Sequence, residues 1–82
     1  MKAKINVMLK KSILDPQGKA VLHSIQDMNV GNFSDVRIGK YIEVNFNNSD
    51  LESAKNEINE ICKKLLSNPV MENYEFELEE IN

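Results

Sequence analysis

Between Lys2 and Lys10 apolar and polar positions alternate strictly. Ala3, Ile5, Val7 and Leu9 share one parity, and Lys2, Lys4, Asn6 and Met8 share the other. Period two predicts a strand with one face in a core and one in water. After Asp15 the period becomes helical. Asp15 is suited to accept from the free amides of a first turn, and Pro16 fits the first helical position, where its missing N–H costs nothing. Val21, Leu22, Ile25 and Met28 form the apolar stripe. The run Asn29-Val30-Gly31-Asn32 is expected to end this helix, with Gly31 in the left-handed conformation.

Residues 34–46 admit two readings. A hairpin turning at Gly39-Lys40 would set Ile38 opposite Tyr41 and Val36 opposite Glu43, mixing charge into an apolar face. One long strand, bulged or bent at Gly39, lines up Val36, Ile38, Ile42, Val44 and Phe46, with only Lys40 out of place. The long strand is the preferred expectation. Ser49-Asp50-Leu51-Glu52 reads as a capping box with Ser49 as the cap. Leu51, Ala54, Ile58, Ile61, Cys62, Leu65 and Leu66 then recur at helical spacing, and Lys63 and Lys64 sit near the negative end ahead of Pro69. Residues 74–79 alternate again, with Tyr74, Phe76 and Leu78 inward and three glutamates outward.

These elements predict an α+β fold of order strand, helix, long strand, helix, strand. Two helices cover one face of a small sheet, in a ferredoxin-like-related arrangement. With 82 residues the chain suits one domain, 1–82, whose marginal burial favours association.

Charge is uneven. Residues 1–40 hold seven Lys/Arg against three Asp, and residues 41–82 three Lys against ten Asp/Glu, so the halves carry +4 and −7. If the last strand lies beside the first, its glutamates meet Lys2 and Lys4 across the wet face, and the asymmetry is structural. The isoelectric point of about 5.1 and the single aromatic expected on that face, Tyr41, disfavour a nucleic-acid module. The amino-terminal residues do not read as a signal peptide, no stretch approaches the ~18 apolar residues of a membrane span, and the one cysteine fits a reducing cytoplasm.

Catalytic chemistry is sparse. The chain has neither G-x-x-x-x-G-K-[ST] nor G-x-G-x-x-G, and one Cys and one His form no zinc cluster. Cys62 falls on an apolar stripe, as a small buried hydrophobe would. His23 sits at the rim of the first helix's stripe. Arg37-Ile38-Gly39-Lys40 sets two cations around a glycine, which suits a phosphate, a bent strand or a partner contact. Gly18 in a first helical turn weakens the helix, which points either to a frayed end or to a backbone or partner approaching closely.

Three stretches, in order, resemble the PurS family, the small subunit of phosphoribosylformylglycinamidine synthase (formylglycinamidine ribonucleotide synthetase). They are Leu14-Asp15-Pro16-Gln17-Gly18-Lys19-Ala20, Asp35-Val36-Arg37-Ile38-Gly39-Lys40-Tyr41, and the run from Cys62 to Glu75; the first strand matches as well. Ser67 and Met71 stand where that family is expected to have Ala and Ile. The resemblance implies a non-catalytic subunit of a three-chain, glutamine-dependent carbon–nitrogen ligase of purine synthesis. It further implies self-association as a homodimer or tetramer, and partners that are a large synthetase subunit and a glutaminase subunit. No cofactor is expected on this chain; the complex is expected to use ATP and Mg. Asp15, Gln17, Gly18, Lys19, Arg37, Gly39 and Lys40 are the candidate partner contacts, because folding has no evident need for Gln17, Lys19, Arg37 or Lys40. The alternative is a ferredoxin-like regulatory module that binds a small metabolite.

Overall fold

The structure is a computed structural model, and it describes residues 1–80. The elements are β1 (Lys2–Leu9), α1 (Pro16–Asp27), β2 (Gly39–Asn45), α2 (Leu51–Ile61), a terminal π turn (Cys62–Leu66), and β3 (Glu72–Glu79). β1 is central and antiparallel to both neighbours, giving the order β2-β1-β3. Register explains the alternation read along the chain. Ala3 lies between Val44 and Leu78, Ile5 between Ile42 and Phe76, and Val7 between Lys40 and Tyr74.

α2 crosses the inner face and contributes Ala54, Ile58 and, at the start of the π turn, Cys62 to the core with Ala3, Ile5 and Val7. Ala3, Ile5 and Val7 are fully buried, whereas Ile42, Val44, Tyr74, Phe76 and Leu78 on the edge strands are half-buried. One helix is about 10–12 Å wide and strands lie about 4.8 Å apart, so a helix over β1 covers the middle strand fully and the edges only in part. On the outer face Lys2 meets Glu43 at 3.0 Å and Lys4 meets Glu79 at 2.6 Å, so the charge asymmetry is satisfied across the sheet.

The α+β class and the order of elements are those expected, but the two helices have unequal parts. No α1 residue belongs to the core or packs against it, and Gly18 is the one buried residue of that helix. The radius of gyration is 16.4 Å, against about 12 Å for a compact domain of this length. The long axis is 50 Å, longer than the about 26 Å of an eight-residue strand by more than the ~18 Å length of a twelve-residue helix. α1 therefore extends the molecule beyond the end of the sheet. The chain returns alongside it: Val36 O lies against Gly18, and Gln26 Nε2 donates to Phe33 O at 3.2 Å. Residues 14–38 form an arm.

Three local expectations change. The long strand does not form, and neither does the hairpin. Pairing begins at Gly39 opposite Met8 because β1 stops at Leu9 and Lys10 turns away, its N–H donating to Met71 O. The left-handed residue after α1 is Asn29 (φ 56), with Met28 as cap, because asparagine tolerates that region and the helix ends before Gly31 is reached. The cap of α2 is Asp50, whose carboxylate accepts from Glu52 N–H, one position later than Ser49.

Candidate subunit interface

Where the arm joins the sheet, Asp15 is 5 % exposed. Its Oδ1 accepts from Gly18 N–H at 2.9 Å, the N-cap bond that its place before Pro16 predicts. Its Oδ2 accepts from Ile38 N–H at 2.8 Å, tying the returning segment to the start of α1. These two bonds, with the Arg37 guanidinium nearby, hold the Asp15 carboxyl below the usual carboxylate range, Ile38 being the largest cause.

Arg37 faces the other way. Its Nη2 donates to Lys10 O at 2.9 Å and to Leu9 O at 3.2 Å, and its Nη1 donates to Ile13 O at 3.3 Å. A planar fork of donors satisfies carbonyls at the end of β1 and in the turn after it, which lysine could not do. Folding thus does use Arg37, contrary to the sequence expectation. Gly18 is required by approach: a Cβ there would lie 2.1 Å from Val36 O. The backbone that comes close is the chain's own. A Cβ at Gly39 would lie 2.6 Å from Val7 O. Asp15, Gly18 and Arg37 together make a polar clasp between arm and sheet.

Six of the seven candidates, all but the buried Gly18, line two cavities that meet at Asp15. A shallow cavity of about 350 Å³ takes in Asp15, Lys19 and Arg37 with Lys11, Leu22 and Val36. A second, of about 220 Å³, takes in Asp15, Gln17, Gly39 and Lys40 with Leu9 and Glu72. Gln17, Lys19 and Lys40 are exposed. Glu72 belongs to this place and was hidden in the sequence within an acidic run. Its register opposite Leu9 turns it to the inner face, where it lies 3.8 Å from Lys40 Nζ. The carbonyls of Leu9, Lys10 and Ile13 leave no mark in any residue type.

Of the Arg37–Lys40 pair, the guanidinium is occupied by backbone carbonyls, whereas the exposed ammonium lies 3.8 Å from a Glu72 carboxylate oxygen. Burial pushes the Cys62 thiol up, away from the thiolate a nucleophile requires. His23 is exposed on the arm, remote in sequence from Cys62. Among the described residues no group of three or more His, Cys, Asp or Glu could hold a metal ion, and no helix is long and apolar enough to cross a membrane.

Fold and site define a small α+β protein with a sheet-and-helix body and a clasped arm. The model of the PurS family, phosphoribosylformylglycinamidine (FGAM) synthase, matches residues 2–80. The chain belongs to that family. It is 46% identical over 80 residues to phosphoribosylformylglycinamidine synthase subunit PurS of Bacillus subtilis (strain 168), covering 98% of this chain and 94% of the relative. The crystal structure of PurS from Methanocaldococcus jannaschii, a subunit of formylglycinamide ribonucleotide amidotransferase, superposes with a TM-score of 0.88 at 34% identity, covering 99% and 98% of the two chains. A chain in the structure of PurLQS from Thermotoga maritima superposes with a TM-score of 0.74 at 27% identity, covering 93% of each.

Proposed function

We propose that this chain is the non-catalytic small subunit of a phosphoribosylformylglycinamidine synthase of purine biosynthesis, working in the cytoplasm. It bridges a glutaminase subunit and a large ATP- and Mg-dependent synthetase subunit and supports ammonia transfer between them. The observation that carries the reading is the full-length match to the Bacillus subtilis PurS subunit. The chain's own chemistry agrees, since the Arg37 guanidinium is taken up by backbone carbonyls and the Cys62 thiol is buried in the core.

The physical task is positional. Ammonia made in one active site must reach another before it is protonated or lost to solvent. A third chain that fixes two sites relative to each other supplies proximity and shields the path from water. Gln17, Lys19 and Lys40, exposed around the clasp, are the side chains that touch partners in this reading. Asp15, Gly18, Arg37 and Gly39 hold the backbone that presents them.

The test is assembly. Glutaminase and synthetase from the same source, sedimented together with saturating substrate, are expected to co-migrate only when this chain is present. Replacing Gln17, Lys19 and Lys40 together by Ala should raise the concentration needed at least tenfold. Co-migration that is equally strong without the chain would contradict the bridge.

A further inference from the structure

The connection from the π turn to β3 holds the two most exposed large apolar side chains among the described residues. Leu65 is 79% and Val70 77% exposed, and Met71 beside Val70 is 41% exposed. A single exposed leucine is ordinary. Here three such side chains stand within residues 65–71, on backbone with little freedom. Asn68 N–H donates to Glu72 Oε1 at 2.7 Å and Val70 N–H to Asn68 Oδ1 at 3.0 Å. Met71 N–H and Glu72 N–H both donate to Asn68 O, at 3.1 and 2.7 Å, and Lys10 N–H ties Met71 O to the end of β1. None of the three apolar side chains belongs to the core or packs against it. A turn of this kind is made as well by polar residues. Leu65 would lie on the apolar stripe if the α-helical period continued, and the π turn takes it off; such turns recur at functional sites.

The charge around this tip is unlike that of the half of the chain it belongs to. Residues 41–82 carry −7 in all, yet the charged side chains of residues 62–71 are Lys63 and Lys64. Glu72, next in line, turns its carboxylate onto Asn68 N–H and toward Lys40. Lys64 pairs with Glu60 at 2.6 Å, whereas the exposed Lys63 forms no ion pair among the described residues. Lys63 and Pro69 line the same open cavity, of about 450 Å³, so the free cation stands beside the apolar turn.

We propose that the tip is a docking element for one of the two partner subunits: Leu65, Val70 and Met71 enter an apolar socket, and a carboxylate at the socket's rim meets Lys63. This rests on the subunit reading above and assigns a partner surface apart from the clasp. An apolar centre with a charged rim is the usual build of such contacts, and the opposite charge at the rim fixes orientation and partner choice. The exposed faces of this chain offer no such socket to a second copy. The apolar stretch of the arm, residues 20–33, has Asp27 as its one carboxylate, and Glu75, Glu77 and Glu79 lie on the polar outer face of the sheet. The hydrogen bonds that fix the turn in the free chain remove an ordering cost from docking.

The experiment assembles the full chain with the glutaminase and synthetase subunits of the same source under saturating substrate. It reads the chain concentration at which half of the complex forms. Far-UV circular dichroism and the sedimenting mass of the chain alone are the controls. Leu65→Asp with Val70→Asp should raise that concentration at least tenfold and leave both controls unchanged. Lys63→Glu should raise it severalfold, and by less as salt is added. Leu51→Asp, at an exposed leucine that opens α2, should leave it as it was. A photo-crosslinker in place of Val70 should join the chain to one partner subunit in the assembled complex. The proposal is overturned if the double variant assembles like wild type, if its own mass falls, or if Leu51→Asp does equal damage. It is also overturned if the crosslinker joins Val70 only to another copy of this chain, or to nothing. The subunit reading fails separately: a wild type that assembles nothing sinks both, and tip variants that match an assembling wild type sink the tip and spare the bridge.

Discussion

Asp15 shows how far one residue can be read from the sequence. Its position before Pro16 announces an N-cap, and the structure gives that bond to Gly18 N–H. The bond to Ile38 N–H spans 23 residues, and no local pattern reports it. The same holds for Arg37, whose three acceptors are backbone carbonyls that any residue type would offer. The candidates stand out in the sequence because residues that neither fill a core nor close a turn break a regular pattern, yet Asp15, Gly18, Arg37 and Gly39 turn out to serve the fold itself. A pH dependence follows from the Asp15 carboxyl. Its folded value is lowered, so its contribution is present above the ordinary carboxylate value near 4 and is lost as pH falls from there through the folded value. The melting-temperature gap between wild type and Asp15→Asn should be clear at about pH 6 and narrow steadily as pH falls below about 4. A gap that stays constant over that range would show that the charge on Asp15 is not what holds the clasp.

Among the elements, period proved more legible than ends. Strands β1 and β3 and both helices lie where alternation and helical spacing put them, because those periods record which side chains face apolar surroundings. Boundaries moved where two residues competed for one backbone role: Asp50 caps in place of Ser49, and Asn29 takes the left-handed position instead of Gly31. The turn Cys62–Leu66 widens to a π turn, closed by the N–H and hydroxyl of Ser67 on Cys62 O. That widening rotates Leu65 off the stripe into water. The long strand failed because a strand extends only as far as its neighbour, and β1 ends at Leu9. Stability should be divided accordingly between body and arm. Ile58→Ala, at a side chain 2% exposed in the core, is expected to cost about 2–5 kcal/mol in denaturant unfolding. Val21→Ala on the arm should cost less than about 1 kcal/mol in the separated chain. Equal losses would mean that α1 is part of the core after all.

At the scale of the molecule, the sequence told of a chain with too little core and no visible catalytic group, and the structure shows where the shortage lies. One helix covers three strands, and the other leaves the body altogether. Nothing in a hydrophobic period says which apolar face is covered by its own chain and which by another, so the arm's direction could not be read in advance. The most direct test is to compare glutamine-dependent with ammonia-dependent amidine formation by the synthetase and glutaminase subunits of the same source, with and without this chain. Glutamine-dependent activity should fall at least tenfold when the chain is omitted, while ammonia-dependent activity persists. Glutamine-dependent activity that is the same in its absence would contradict the account.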